Sequence, residues 1–162
     1  MRLRAVAAFI AINALSISSA AADSGATGQF GEKISVATSV LKTPQTVVVN
    51  GSNFDETIGI YLAYCVLPKK GAAPTPCGGG ANKKGIGDAS YWISSNPPPY
   101  GAGLAIPFQP GGRFSQKLEI SKKIGAIDCT KTKCAITVRS DHLHEGDRTH
   151  DLFIPITFSK KK

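Results

Sequence analysis

Residues 57–66 read Thr-Ile-Gly-Ile-Tyr-Leu-Ala-Tyr-Cys-Val. Ile58, Ile60, Leu62 and Tyr64 fall on one side of an extended chain, the period-2 pattern of a half-buried strand. The strand ends on Cys65, one of four cysteines in a chain of 162 residues. Outward from it, six further stretches carry strand signals with turn residues between them. They are 33–40, 45–50, 90–94, 113–121, 134–139 and 151–158. Residues 45–50 hold a β-branched run, Thr46-Val47-Val48-Val49, ended by a turn at Asn50-Gly51. Residues 113–121 alternate Phe114, Gln116, Leu118 and Ile120 against Ser115, Lys117 and Glu119. In 151–158, Leu152, Ile154, Ile156 and Phe158 share a face, and Pro155 predicts an edge position or a bulge. Helix signals are nearly absent beyond the first residues. Seven short alternating strands over this length predict an all-β, antiparallel, immunoglobulin-like sandwich.

The N-terminus carries a different pattern. Met1-Arg2-Leu3-Arg4 is basic, Ala5 to Ile17 is largely apolar, and Ala20-Ala21-Ala22 offers a small-residue cleavage site. This predicts a signal peptide over 1–22 and one domain over 23–162. The apolar run is too short for a comfortable membrane span of about 20 residues, and no transmembrane segment is expected. Loss of Arg2 and Arg4 leaves 17 basic against 11 acidic side chains, a net +6 instead of +8. The lysines are scattered in doublets such as Lys69-Lys70 and Lys122-Lys123. Without interleaved aromatics they read as solubilising charge, not as a nucleic-acid face.

Behind an export signal, an even number of cysteines reads as a disulfide framework. Cys65 and Cys77 bracket a Pro/Gly-rich stretch, and Cys129 and Cys134 bracket Thr-Lys-Thr-Lys. Zinc ligand pairs sit two to four residues apart, closer than Cys65 and Cys77. A bridge across 129–134 would staple a hairpin, and one across 65–77 would tie the central strand to the region after it. That region, 68–112, holds most of the prolines and reads as a long excursion interrupted by the strand at Tyr91-Trp92. Trp92, Tyr100 and Phe108 lie within it. They are candidates either to line a cleft for an apolar ligand or to plug the open end of a small sandwich.

The densest polar cluster is 140–151, Ser-Asp-His-Leu-His-Glu-Gly-Asp-Arg-Thr-His-Asp. A metal site would use His142, His144 and His150 with Asp147 or Asp151, since alternate residues of an extended chain point the same way. The alternative is a hydrogen-bonded polar loop in which Asp141 and Asp151 pin Arg148. No metal is favoured, and no cofactor is expected. Asn50-Gly51-Ser52 matches a glycosylation sequon, though Asn before Gly also reads as a turn. There is no nucleophile elbow, no phosphate loop and no distinguishable carboxylate pair, so an enzyme is not expected.

The order of these pieces resembles the neocarzinostatin-like family of secreted antitumour-antibiotic carrier proteins. Thr46 to Phe54 is similar to the family's V-x-V-x-G-x-G-[LF] strand and turn. Tyr61 to Cys65 is similar to the strand bearing the first cysteine. Ile127-Asp128-Cys129-Thr130-Lys131-Thr132-Lys133-Cys134 resembles the V-D-C-T-x-x-x-C segment, and 152–158 the closing strand. Stretches 91–101, 139–142 and 146–151 also resemble uncharacterised secreted actinobacterial domains of the same superfamily. The resemblance implies a seven-stranded sandwich with bridges Cys65–Cys77 and Cys129–Cys134. It also implies a ligand cleft beside the first bridge. The chain departs from the carriers in its short Lys122–Ala126 segment, in Ala135 after Cys134, and in its longer excursion. The expected function is therefore a secreted, non-enzymatic binding protein for a small apolar ligand. The alternatives are an extracellular protein-interaction or adhesion domain, and a metal- or haem-binding protein using the 141–151 loop.

Overall fold

The computed structural model describes residues 23–78, 86–87 and 90–159. The signal-peptide reading of 1–22 lies outside them, as do parts of the excursion. Among the described residues twelve strand segments form: β1 (Ser24–Thr27), β2 (Lys33–Val36), β3 (Val40–Leu41), β4 (Gln45–Ser52), β5 (Ile60–Val66), β6 (Ile86–Gly87), β7 (Ser90–Ile93), β8 (Phe114–Ile120), β9 (Lys123–Ile124), β10 (Ile127–Asp128), β11 (Cys134–Ser140) and β12 (Leu152–Phe158). One sheet runs β1-β2-β4-β8 and the other β3-β12-β11-β5-β7-β6, with β9-β10 as a separate hairpin. The two larger sheets enclose the core in a disulfide-bonded β-sandwich.

All seven expected strands are present. The first one divides, because β2 pairs with β4 in one sheet while β3 pairs in parallel with the end of β12 in the other. Thr38 makes the crossing, its Oγ1 accepting from the Val40 N–H at 3.2 Å. β1 was not expected; its Ser-Gly-Ala-Thr sequence lacks the large apolar residues that mark a strand.

Side-chain alternation explains the packing. Val47 and Val49 of β4, and Phe114, Leu118 and Ile120 of β8, point inward. They meet Ile60, Leu62 and Tyr64 of β5 with Ile136 and Val138 of β11. Burying each such aliphatic side chain contributes about 1.5–3 kcal/mol. Tyr91 crosses the sandwich from β7, donating its hydroxyl hydrogen to the Lys117 carbonyl of β8 at 2.5 Å.

Two local expectations are corrected, and the edge position expected at Pro155 is found. Asn50-Gly51 is not a turn: β4 runs on to Ser52, with Gly51 opposite Phe114. A Cβ on Gly51 would meet the Phe114 ring at 2.0 Å, so glycine here admits a ring. Cys129–Cys134 does not staple a hairpin, because β10 pairs with β9 and the bridge closes the turn leading into β11. Pro155 sits within a strand paired to β11, opposite Ala135. On its other side β3 reaches only Thr157 and Phe158, so its missing N–H falls where β12 is locally an edge.

β5 and β11 are buried on both faces, unlike β4 and β8. Their outward residues are Tyr61, Ala63 and Cys65, opposite Arg139, Thr137 and Ala135. Something covers this face, and the candidate site lies there.

Candidate functional site

The cover is the start of the excursion. Cys77 is bonded to Cys65. The Val66 N–H donates to the Pro76 carbonyl at 3.0 Å, and the Gly78 N–H to the Tyr64 carbonyl at 2.7 Å. Residues 73–77 are thereby held over one end of the outer sheet face. They leave a cavity of about 420 Å³. Its floor is Ala63, Cys65, Ser90 and Thr137, its far end Tyr61, Arg139 and Glu145, and its wall Ala73 to Cys77. The floor residues are small, which is what makes the face concave. The Arg139 guanidinium carbon lies 5.6 Å from the Tyr61 ring centroid, and among the described residues Arg139 forms no ion pair. The cavity thus offers an apolar wall and a charged end that holds both Arg139 and Glu145.

The aromatic residues expected to line it are elsewhere. Phe108 is buried in the core, its ring centroid 6.0 Å from that of Phe54. Trp92 is buried beside the cavity and does not border it. Its indole N–H donates to Asp141 Oδ2 at 2.9 Å. The Pro99–Gly101 turn packs onto it so closely that a Cβ on Gly101 would meet the ring at 2.4 Å. Tyr100 is exposed, and its hydroxyl bonds His142 Nε2 at 2.8 Å. Tyr61, the cross-strand partner of Trp92, is the aromatic side chain that reaches the cavity. Its hydroxyl lies 2.5 Å from His142 Nδ1. A neutral imidazole has one donor and one acceptor nitrogen, so one tyrosine donates to His142 and the other accepts. Burial, and then the Asp141 carboxylate, raise the Tyr61 pKa above its ordinary value.

The 140–151 loop divides its polar residues among several tasks. Asp141 is wholly buried; besides Trp92 it accepts from the Leu143 N–H at 2.9 Å, capping a short turn over His142–His144. Because that stretch is a 3₁₀ turn and not extended, His142 and His144 do not project together as an extended segment would have them. His144 lies 3.7 Å from Asp141, while His150 lies 3.6 Å from Glu32 and 3.7 Å from Asp147. Among the described residues, no group of three His, Cys, Asp or Glu side chains is placed to hold a metal ion. Arg148 pairs with Asp151 at 3.3 Å and donates to the Glu145 carbonyl at 2.8 Å. Asp141 takes no part in pinning it. Asp147 and Asp128 each accept from a threonine two residues on, which holds both carboxyls below their ordinary range.

Sequence reasoning missed Ala63, Ser90, Thr137 and Arg139. For Ala63, Ser90 and Thr137 the signal is the outward half of each alternation, small residues where a solvent-facing strand usually carries long polar ones; Arg139 carries no such signal. No helix among the described residues is long and apolar enough to cross a membrane.

No family model matches the chain, and no curated protein matches it. Among solved structures its fold is similar to that of macromomycin, at 14% identity and a TM-score of 0.50, over 80% of this chain and 100% of that one. At this identity the likeness is one of fold: a β-sandwich, here carrying two disulfides and a cavity beside the first.

Proposed function

We propose that this chain is a secreted, non-enzymatic binding protein that carries a small, largely apolar ligand in the trough beside Cys65–Cys77. Residues 1–22 act as its export signal, and 23–162 are the exported domain. The observation that carries the proposal is the open cavity of about 420 Å³ on an otherwise covered sheet face, floored by small side chains and walled by a disulfide-anchored loop. Ligand sites have this character: concave, mostly apolar, with few polar groups that fix orientation. The neocarzinostatin-like resemblance and the macromomycin-like fold support the reading. Arg139 orients the ligand by an acidic or electron-rich group while the wall of Pro74 and Pro76 takes its hydrocarbon face. Trp92 and Asp141 hold Tyr61 and the strand ends in place and do not contact the ligand.

The test is titration with 8-anilinonaphthalene-1-sulfonate, an aromatic probe with an anionic group. Native protein is expected to give a saturable fluorescence increase. Ala63→Phe, which fills the floor, lowers the affinity at least tenfold at unchanged melting temperature. Arg139→Ala weakens it less. An equal signal in Ala63→Phe, or no signal in native protein, would contradict the proposal.

A further inference from the structure

The fold gathers lysines that the sequence scatters. The end of the sandwich where β4 begins and β5, β8 and β12 finish carries Lys42, Lys122, Lys123, Lys131 and Lys133. Backbone groups tie these segments together. The Lys122 N–H donates to Thr43 Oγ1 at 3.2 Å, the Cys129 N–H to the Lys122 carbonyl at 2.8 Å, and the Leu67 N–H to the Lys133 carbonyl at 2.9 Å. The turn at Lys69-Lys70 follows shortly after Leu67. Of the described lysines, Lys33 and Lys117 lie elsewhere, opposite Ser52 and Val48 of β4. Acidic side chains collect at the other end, with Asp55 and Glu56 after β4 and Glu145, Asp147 and Asp151 before β12.

A groove of about 430 Å³ opens among the lysines. Lys122, Lys131 and Lys133 border it, Thr132 and Thr157 add exposed hydroxyls, and no acidic side chain lines it. Among the described residues no lysine forms an ion pair. Glu119 and Asp128 stand outside the groove, and Asp128 Oδ1 accepts from the Thr130 N–H and hydroxyl at 2.9 and 2.6 Å.

Like charges held together raise the local potential and draw an anionic partner. Without the planar fork of arginine, lysines act as point charges and impose no bidentate geometry. One exposed ion pair is weak. A lone anion therefore gains little here, while a polymer that meets several lysines at once gains their sum. The groove hydroxyls favour a chain that itself carries hydroxyl groups. A single-stranded nucleic acid would need rings on which to stack its bases. The exposed rings Phe30 and Tyr100 stand away from the groove, Phe30 beside Asp55 and His150 and Tyr100 bonded to His142. Binding to a lipid surface draws on buried apolar area, and the groove's Ile156 and Phe158 are packed into the core.

We infer that this groove docks an acidic polysaccharide, with its anionic groups on Lys122, Lys131 and Lys133 and its hydroxyls on Thr132 and Thr157. The inference is independent of the trough beside Cys65–Cys77.

The experiment is a titration of the full chain with low-molecular-weight heparin, followed by amide chemical shifts, beside neutral dextran, oligodeoxythymidylate and phosphatidylglycerol vesicles. Heparin is expected to bind with shifts at Lys122, 130–133 and 157–159, and dextran not to bind. The heparin affinity should fall about tenfold or more between about 50 mM and about 200 mM salt, as counterion release over roughly three contacts requires. Lys131→Gln combined with Lys133→Gln, both at exposed side chains, should lower it severalfold. Lys33→Gln combined with Lys117→Gln removes the same charge elsewhere and should leave it nearly unchanged. Equal losses in the two double variants, equal or tighter binding of the oligonucleotide or the vesicles, binding of dextran, or no binding of heparin at the lower salt would overturn the inference. Ala63→Phe, which fills the trough, should leave heparin binding intact; a matching loss there would overturn it as well.

Discussion

At the residue scale, the consequential side chains are buried polar ones. Trp92 and Asp141 form a hydrogen bond with both partners almost out of reach of water. Trp92→Phe removes the donor and leaves a buried carboxyl short of one bond. The variant is expected to lose about 2–4 kcal/mol, read as a lower urea midpoint at unchanged slope. Tyr64 is the opposite case. Its hydroxyl is buried with no partner among the described residues, and burial pushes its pKa up to about 12. Tyr64→Phe is expected to be neutral or to gain about 1 kcal/mol in the same assay. Burial also pushes the Asp151 carboxyl up to about 6, against the opposing pull of the Arg148 guanidinium. The sign follows from linkage. The folded state holds its proton more tightly than the unfolded state, so the stability this provides is present below the ordinary 3.8 and is lost as pH rises through about 6. Asp151→Asn should therefore gain on the native protein in unfolding free energy between about pH 4 and about pH 6 and run parallel above.

At the element scale, the two disulfides do different work. Cys65–Cys77 spans 12 residues and anchors the cavity wall to β5; Cys129–Cys134 spans 5 and closes a turn away from the cavity. Loop-closure entropy gives about 3 kcal/mol for the first and about 2 kcal/mol for the second. Replacing Cys65 and Cys77 by Ala is expected to cost the larger amount and to abolish probe binding by releasing Pro74 and Pro76. The same change at Cys129 and Cys134 should cost less and leave binding intact. Calorimetric melting and the probe titration together check both. The strands themselves were legible because alternation writes burial directly into sequence, as in β5 and β8. The misreadings came where one residue type serves two purposes. Gly51 suggested a turn and instead admits the Phe114 ring. Val36 to Val40 looked continuous, yet the strand changes sheets there. β1 is held by backbone pairing with β2, for which Ser-Gly-Ala-Thr leaves no side-chain signature.

At the scale of the whole molecule, the sandwich uses its two outer faces differently. The outer face of β4 and β8 is exposed and carries Lys117 and Glu119, whereas that of β5 and β11 is covered and hollow. The position of the cleft beside Cys65–Cys77 followed from the family resemblance. Its lining did not, because large aromatics such as Trp92 and Phe108 attract attention in a sequence, while a cavity is made by what is small. Trp92 and Phe108 are instead taken up by packing, and Tyr100 by the hydroxyl bond to His142. In the histidine-rich loop the metal alternative, not favoured from sequence, rested on nearness along the chain, and the 3₁₀ turn sends His142 and His144 to different neighbours. The central claim is that the trough takes up a small molecule. The most direct measurement is an amide shift map of the full chain titrated with 8-anilinonaphthalene-1-sulfonate. The account predicts saturable shifts confined to Tyr61, Ala63, Cys65, residues 73–77, Thr137 and Arg139. Shifts scattered over the lysine-bearing surface, or none at these residues, would contradict it.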